Sequence, residues 1–382
     1  MPAYLVLGCT NFYGRALVQQ LCADRDAAGG GGADWVIRGV DKALPQLASL
    51  PEATLQLFAT LDYRMGNLRR AEFLEQAFAR GGAGRWDAVF NFAAEHKFGQ
   101  SAGVYEQDVH QLSVAVARLA AKHAAGALVQ LSTAHVYAPG AGRSSEDGAV
   151  EAADELAACH LRAEADIRAI AGLPPLVVLR PALCYGPGDR QNVVPMLISA
   201  LLSREAGEPM PVLWAKDLRV NTVHVADVAR AAVLAAGHAR AAQQPVSVFN
   251  LSDPGDTTNA ALAQAVAGLF GVGVSFQSSA VNFIAKRLRT EELAEEVNES
   301  LLGPWMDLLA RHNAANSPLS PYLDREHPYF RLEHRPLAVD GSRIEAADGL
   351  GFRYLHRSVS ADALRPIVAE FRQLGLWPDI DI

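Results

Sequence analysis

The sequence predicts an α/β fold built on a parallel sheet, and three observations predict it. First, an apolar run of strand length, Tyr4 to Leu7, passes through a small-residue turn into a helical pattern, Arg15 to Leu21. Second, strand-like runs at Trp35–Asp41, Trp86–Ala94 and Ala127–Thr133 alternate with helix-like segments, and that alternation implies parallel strands with helices on both faces. Third, half of the 382 residues are hydrophobic and only a fifth are charged, enough for a sizeable buried core.

The opening stretch sets the chemistry. A strand, a glycine turn and a helix in that order are what a dinucleotide-binding loop requires. Gly8 permits the tight turn, and Gly14 lets the helix lie close to the strand. The helix start then aims unpaired N–H groups, those of Phe12 and Tyr13 among them, at a pyrophosphate. Asn11 stands where the middle glycine of a Gly-x-x-Gly-x-x-Gly spacing would be, and asparagine tolerates the left-handed backbone that such a turn can need.

Further along, the Gly29–Gly32 run reads as a flexible loop, and the second strand ends in Asp41. A carboxylate there accepts hydrogen bonds from ribose hydroxyls and repels a 2′-phosphate, so NAD is expected over NADP, with Arg38 and Lys42 flanking the acid. Leu55–Leu61 reads as a third strand and Glu72–Phe78 as an amphipathic helix. The fourth strand, Trp86–Ala94, ends in small residues that let a cofactor approach the backbone, and a helix over 104–123 leads to the next core strand.

The formal net charge of −8 argues against a nucleic-acid partner and offers no polybasic membrane patch. The four cysteines, Cys9, Cys22, Cys159 and Cys184, lie far apart without metal-site spacing, so no metal is expected. The N-terminus enters a strand at once and no apolar run is long enough to span a bilayer, so a cytoplasmic protein with no membrane contact is expected.

Five segments in this order resemble the extended short-chain dehydrogenase/reductase superfamily, of the NAD-dependent epimerase/dehydratase and 3β-hydroxysteroid dehydrogenase type. They are the Gly8–Gly14 loop, Ser132–Tyr137, Leu179–Asp189, Arg219–Asp227 and Phe249–Ser252. Val339–Arg343 and Gly349–Phe352 add a late match. The resemblance implies a Rossmann-type doubly wound parallel sheet over residues 1–180, to which about 220–252 return. It also implies a smaller, partly helical C-terminal substrate lobe over 181–382, with a helical insertion at 277–338. It further implies NAD as cofactor, with Asn67 and Leu68 near adenine, Ala93 and Ala94 lining the cofactor, and Pro181 near the nicotinamide.

The chemistry of that superfamily needs Tyr-x-x-x-Lys on one helix: the lysine lowers the tyrosine pKa, and the tyrosine exchanges a proton with the substrate hydroxyl. Thr133 matches the hydroxyl residue that shares this bond. The helix that should carry the pair, Asp154–Glu164, registered by Ala163-Glu164, has Leu156 and His160 at the two positions. No Tyr or Lys occurs between Tyr137 and Tyr185, so no other register restores the pair. Asp108 stands where the preceding helix usually has Asn. Leucine cannot move a proton, and the groups left to do so are His135, His160 and Asp108, with His160 also in reach of the ribose.

In the C-terminal part, Tyr137, Asn192 and Arg219 match substrate-contact positions of nucleotide-sugar enzymes, where the Asn and Arg meet the nucleotide or diphosphate. The usual glycine-rich turn before that arginine is replaced by Leu213–Asp217. Glu291–His312 has helical apolar spacing and is followed by the breaker Asn316–Pro321. Such a segment can cap an apolar pocket or meet a partner chain, which leaves a homodimer open.

The expectation is therefore an NAD-dependent epimerase/dehydratase-like enzyme acting on a small hydroxylated or carbonyl metabolite with non-standard acid–base residues. The alternatives are a redox-inactive NAD- or ligand-binding relative serving as sensor or scaffold, or a non-redox cyclase or isomerase on the same fold.

Overall fold

The computed structural model describes residues 2–29, 35–81, 84–140, 142–242, 245–276, 290–312, 314–347 and 349–381. The chain begins with β1 (Ala3–Leu7), α1 (Phe12–Ala27), β2 (Val36–Asp41) and α2 (Glu52–Phe58). It continues through β3 (Asp62–Met65), α3 (Ala71–Phe78), β4 (Ala88–Asn91) and α4 (Ala102–Tyr105), then a π-helical turn at Glu106–Gln111 and α5 (Leu112–Lys122). Next come β5 (Leu128–Leu131), α6 (Glu155–Arg168), β6 (Leu176–Pro181), β7 (Leu183–Tyr185), α7 (Val194–Ala206), β8 (Met210–Val212) and β9 (Thr222–His224). After α8 (Val225–Ala242), β10 (Val246–Leu251), α9 (Asn259–Phe270) and β11 (Val274–Phe276) come α10 (Thr290–Arg311), α11 (Ser342–Glu345) and α12 (Ala361–Gln373).

The seven-stranded sheet has the order β10-β6-β5-β4-β1-β2-β3 and every pairing in it is parallel. Its central strands are buried on both faces because α1 and α8 cover one side and α3, α5 and α6 the other. The strand order reverses between β1 and β4, and a crevice opens there at the carboxyl ends of the strands, where ligands bind in open parallel sheets.

Two expectations change. Leu55–Leu61 is not the third strand. Pro51, Thr54 and Phe58 are buried at helical spacing, α2 covers most of that stretch, and β3 begins at Asp62. The Leu-Gln-Leu alternation mimics a strand, but Pro51 just before the helix favours its start. The helix expected over 104–123 carries the π turn at Glu106–Gln111, which reorients Asp108. Part of the Gly29–Gly32 run and residues 277–289 of the insertion lie outside the described residues.

A second core holds α7, α9, α10 and α12 together around Trp305, Phe270 and Trp377. Two short parallel pairs, β7 with β9 and β8 with β11, tie these helices to the large sheet. Pro304 sits inside α10, whose buried Trp305 donates its indole N–H to the Leu319 carbonyl at 2.9 Å. Among the described residues no helix is long and apolar enough to cross a membrane.

Candidate functional site

One cavity of about 1260 Å³ runs along the strand ends from the Gly8 turn to the segment after α10. At its cofactor end Gly8 has φ +78°, and a Cβ there would lie 2.5 Å from the Phe92 carbonyl oxygen. A Cβ at Gly14 would lie 2.0 Å from the Gly8 oxygen, so only hydrogen fits at either place. Asn11 differs from expectation: its backbone is extended (φ −73°, ψ 177°), not left-handed. It caps α1 instead, its Oδ1 accepting Gly14 N–H at 2.9 Å while its amide donates to the Phe92 carbonyl at 2.5 Å. Phe12 and Tyr13 line the cavity in the first turn of α1, where N–H groups have no intrahelical acceptor. Ala93, Ala94 and Pro181 also line it. This backbone cradle fits a pyrophosphate.

Asp41 closes β2 at the cavity wall, its carboxylate accepting the N–H groups of Thr10 at 3.0 Å and Lys42 at 2.7 Å. Arg38 faces away, bound to Asp62 at 2.7 Å and to the Ala77 and Ala79 carbonyls. It is therefore not available to a 2′-phosphate. Asn67 and Leu68 line the cavity, but the Asn67 oxygen already accepts Arg69 N–H at 2.9 Å, which leaves its NH₂ as the free half. Asp108 also reaches the cavity, yet both its oxygens are held by the Arg69 guanidinium. It stands as half of an ion pair rather than as a free acid–base group.

At the reaction end the registered positions converge as expected. Leu156 and His160, one turn apart on α6, both face the cavity alongside Thr133 and His135. The Thr133 oxygen accepts His135 N–H at 3.2 Å and keeps its own proton to donate. His160 is 2% exposed. Burial, with His96 beside it, pushes its pKa down to about 3. Burial lowers His135 as well, against the opposing pull of Asp154. At neutral pH these imidazoles are bases, and any histidine limb in a pH profile shifts to the acid side of the ordinary imidazole range.

Sequence reasoning missed His96. Its ring lies nearly parallel to that of His160, with centroids 6.4 Å apart, and edge-on to Tyr13 at 5.0 Å. Nε2 is buried with no hydrogen-bond partner. Burial lowers its pKa to about 4. The only sequence signal was its place two residues past Ala94, on the loop after β4. His327 joins from the far wall, donating Nε2–H to the Gln191 carbonyl at 3.1 Å and accepting Tyr329 N–H at 3.2 Å.

Of the three substrate-contact candidates, Asn192 lines the cavity, although its amide donates to the Cys184 carbonyl at 2.9 Å. Tyr137 does not line it. The hydroxyl donates to Asn250 Oδ1 at 2.6 Å and accepts Arg180 at 2.9 Å, within a buried network whose centre is Glu164. Arg219 does not line it either; it pairs with Asp256 at 3.0 Å on a partly exposed face. The far wall is made instead by the end of α10 and the strap 318–327. Among the described residues no group of His, Cys, Asp and Glu is placed to hold a metal ion.

Sheet order, glycine turn and strand-end acid together define an α/β protein of the dinucleotide-binding class. The family model described as "NAD dependent epimerase/dehydratase family" matches residues 4–252, and the chain belongs to that family, whose cofactor is NAD. Among solved structures it is similar to DesIV, a dTDP-glucose 4,6-dehydratase from Streptomyces venezuelae crystallised with NAD. The identity is 21%, the coverage 98% of each chain and the TM-score 0.67. WbmG from Bordetella bronchiseptica, in complex with NAD and UDP, is 17% identical over 100% of this chain and 98% of its own, with TM-score 0.65. UDP-glucuronic acid 4-epimerase from Bacillus cereus, in complex with NAD, is 16% identical over 72% of this chain and 87% of its own, with TM-score 0.56. At these identities the likeness carries the fold. No curated protein matches the chain.

Proposed function

We propose that the protein is an NAD-dependent enzyme that acts on a small hydroxylated or carbonyl metabolite and moves the proton with histidine in place of the family's tyrosine. The observation that carries this reading is the convergence of Thr133, His160 and the unpartnered Nε2 of His96 on one cavity with the Gly8 cradle. NAD held in that cradle supplies the hydride acceptor. Thr133 donates to the substrate oxygen and fixes its position. A neutral imidazole, His160 or His135, takes the hydroxyl proton as the carbonyl forms, and returns it when the alcohol is rebuilt. Leu156 packs against that oxygen and keeps water from it. A transient oxidation followed by epimerisation, elimination or carbon–carbon cleavage suits this set, since none of these requires net consumption of NAD.

One observation favours a second reading. Leu156 can neither donate nor accept a proton, which suits a relative that binds NAD or a ligand without turnover. Ligands released from the purified protein can be identified by mass spectrometry, and the identified metabolite then returned to NAD-loaded protein while absorbance of reduced nicotinamide is followed. The enzyme reading expects reduced nicotinamide that falls about 10²–10⁴-fold in rate in His160→Ala or His135→Ala. Bound NAD that is never reduced contradicts it and supports the second reading. The double variant Leu156→Tyr with His160→Lys then reports whether the scaffold still holds both partners in reactive geometry.

A further inference from the structure

The family match ends at residue 252, yet the wall facing His96 and His160 comes from the segment after α10. That wall is fixed. The buried Asn298 amide donates to the Leu323 carbonyl and accepts Leu323 N–H, both at 2.9 Å. Ser317 donates to the Leu376 carbonyl at 2.6 Å. Gln191, whose carbonyl accepts His327, donates its own amide to the His96 carbonyl at 3.0 Å. Strap, 186–192 loop and His96 loop are thereby stitched into one chamber.

Resting on the reading that this cavity is the active site, we propose that the chamber binds an uncharged alcohol with an apolar ring, or its ketone, rather than a nucleotide diphosphate. Leu156, Leu302, Pro318, Leu323 and Phe98 give it an apolar lining. Against that lining, His96 Nε2 is a buried ring nitrogen that no protein group meets, which a ligand hydroxyl would satisfy. Two arginines of the C-terminal part are committed elsewhere. Arg219 holds Asp256, and Arg331 is spent on Asp154 and the Ala153 and Glu326 carbonyls. Lys97 and Arg190 line the cavity only as exposed rim residues, Arg190 lying near the Arg15–Glu370 pair at the cofactor side. Asp324 lines the same space, and its carboxylate disfavours an anionic ligand.

The test is titration calorimetry on NAD-loaded protein with benzyl alcohol, benzyl methyl ether and UDP, repeated without NAD. The alcohol is expected to bind at least about fivefold more tightly than the ether, which lacks the donor, and UDP is expected not to compete. His96→Phe should erase the preference for the alcohol. Leu323→Lys should weaken both aryl ligands about tenfold while NAD affinity stays within about twofold. The proposal is overturned if UDP binds more tightly than the alcohol and Arg219→Ala weakens it. It is equally overturned if the alcohol does not bind, or binds wild type and both variants alike. Failure of NAD itself to bind strikes the underlying reading instead, and the titrations without NAD still report on the chamber.

Discussion

The two ends of the cavity are built on opposite principles. At the cofactor end the side chains that shape the turn are paired: Asn11 uses both halves of its amide, and Asp41 accepts two backbone N–H groups. At the reaction end His96 Nε2 is buried without a partner, with the buried His160 ring beside it. Satisfied groups make a rigid cradle that needs only steric and dipolar fit. Unsatisfied groups cost free energy, about 1–3 kcal/mol each, unless a ligand completes them. The first end is prebuilt, and the second leaves a polar atom for a ligand to complete.

The comparison breaks most readily at Gly14. A Cβ 2.0 Å from the Gly8 oxygen cannot be absorbed by a side-chain shift. Gly14→Val should therefore lower NAD affinity by about 100-fold or more, that is about 2.7 kcal/mol. Affinity within threefold of wild type, read by calorimetry, would show that the turn does not form the cradle.

Next in size is the buried network beneath the reaction end. Glu164, 1% exposed, accepts Arg180 through two nitrogens and Ser132 Oγ, and burial is outweighed by these partners so that its pKa is lowered. Arg180→Met leaves that carboxylate under-compensated and should cost about 3–5 kcal/mol in chemical denaturation. A loss below 1 kcal/mol would place the weight of the network elsewhere. Because the folded pKa of Glu164 is depressed, its contribution is full above the unfolded carboxylate pKa and is lost as pH falls through the folded one.

The histidines sharpen the contrast further. His160 and His327 are lowered to about 3 and His96 to about 4, against about 6.5 for the unfolded side chain. In that window the unfolded chain binds protons that the folded chain refuses. Stability is therefore full above about pH 6.5 and declines steadily toward pH 4, with a slope of more than one proton. A flat profile of unfolding free energy between pH 6.5 and 4.5 would mean that these rings are solvated. Protection of the chamber by a bound neutral ligand should deepen the slope, whereas NAD alone should change it little.

Much of the cofactor end was legible in the sequence because it rests on backbone requirements. Glycine at positions 8 and 14, an acid ending β2 and alanines after β4 each follow from local sterics, and Leu156 and His160 lie on one helix, α6, with Ala163 and Glu164. The reaction end was legible only where it shares those elements. His96 lies on a loop whose course depends on packing against Tyr13 and the 186–192 segment, contacts between residues far apart in the chain. Tyr137 and Arg219 matched by position, but their directions are set by Asn250, Arg180 and Asp256, which no local pattern announces. Asp108 lines the cavity, and its partner Arg69 arrives from another loop.

The central claim is that the cradle at Gly8 holds NAD with Asp41 as its discriminator. Paired calorimetric titrations of the purified protein with NAD and NADP test it most directly. Asp41 at the end of β2, with Arg38 turned away, predicts one NAD site per chain and NADP weaker by about 1–3 kcal/mol, roughly 5- to 150-fold. Equal affinities, a preference for NADP, or no binding of either dinucleotide would contradict it.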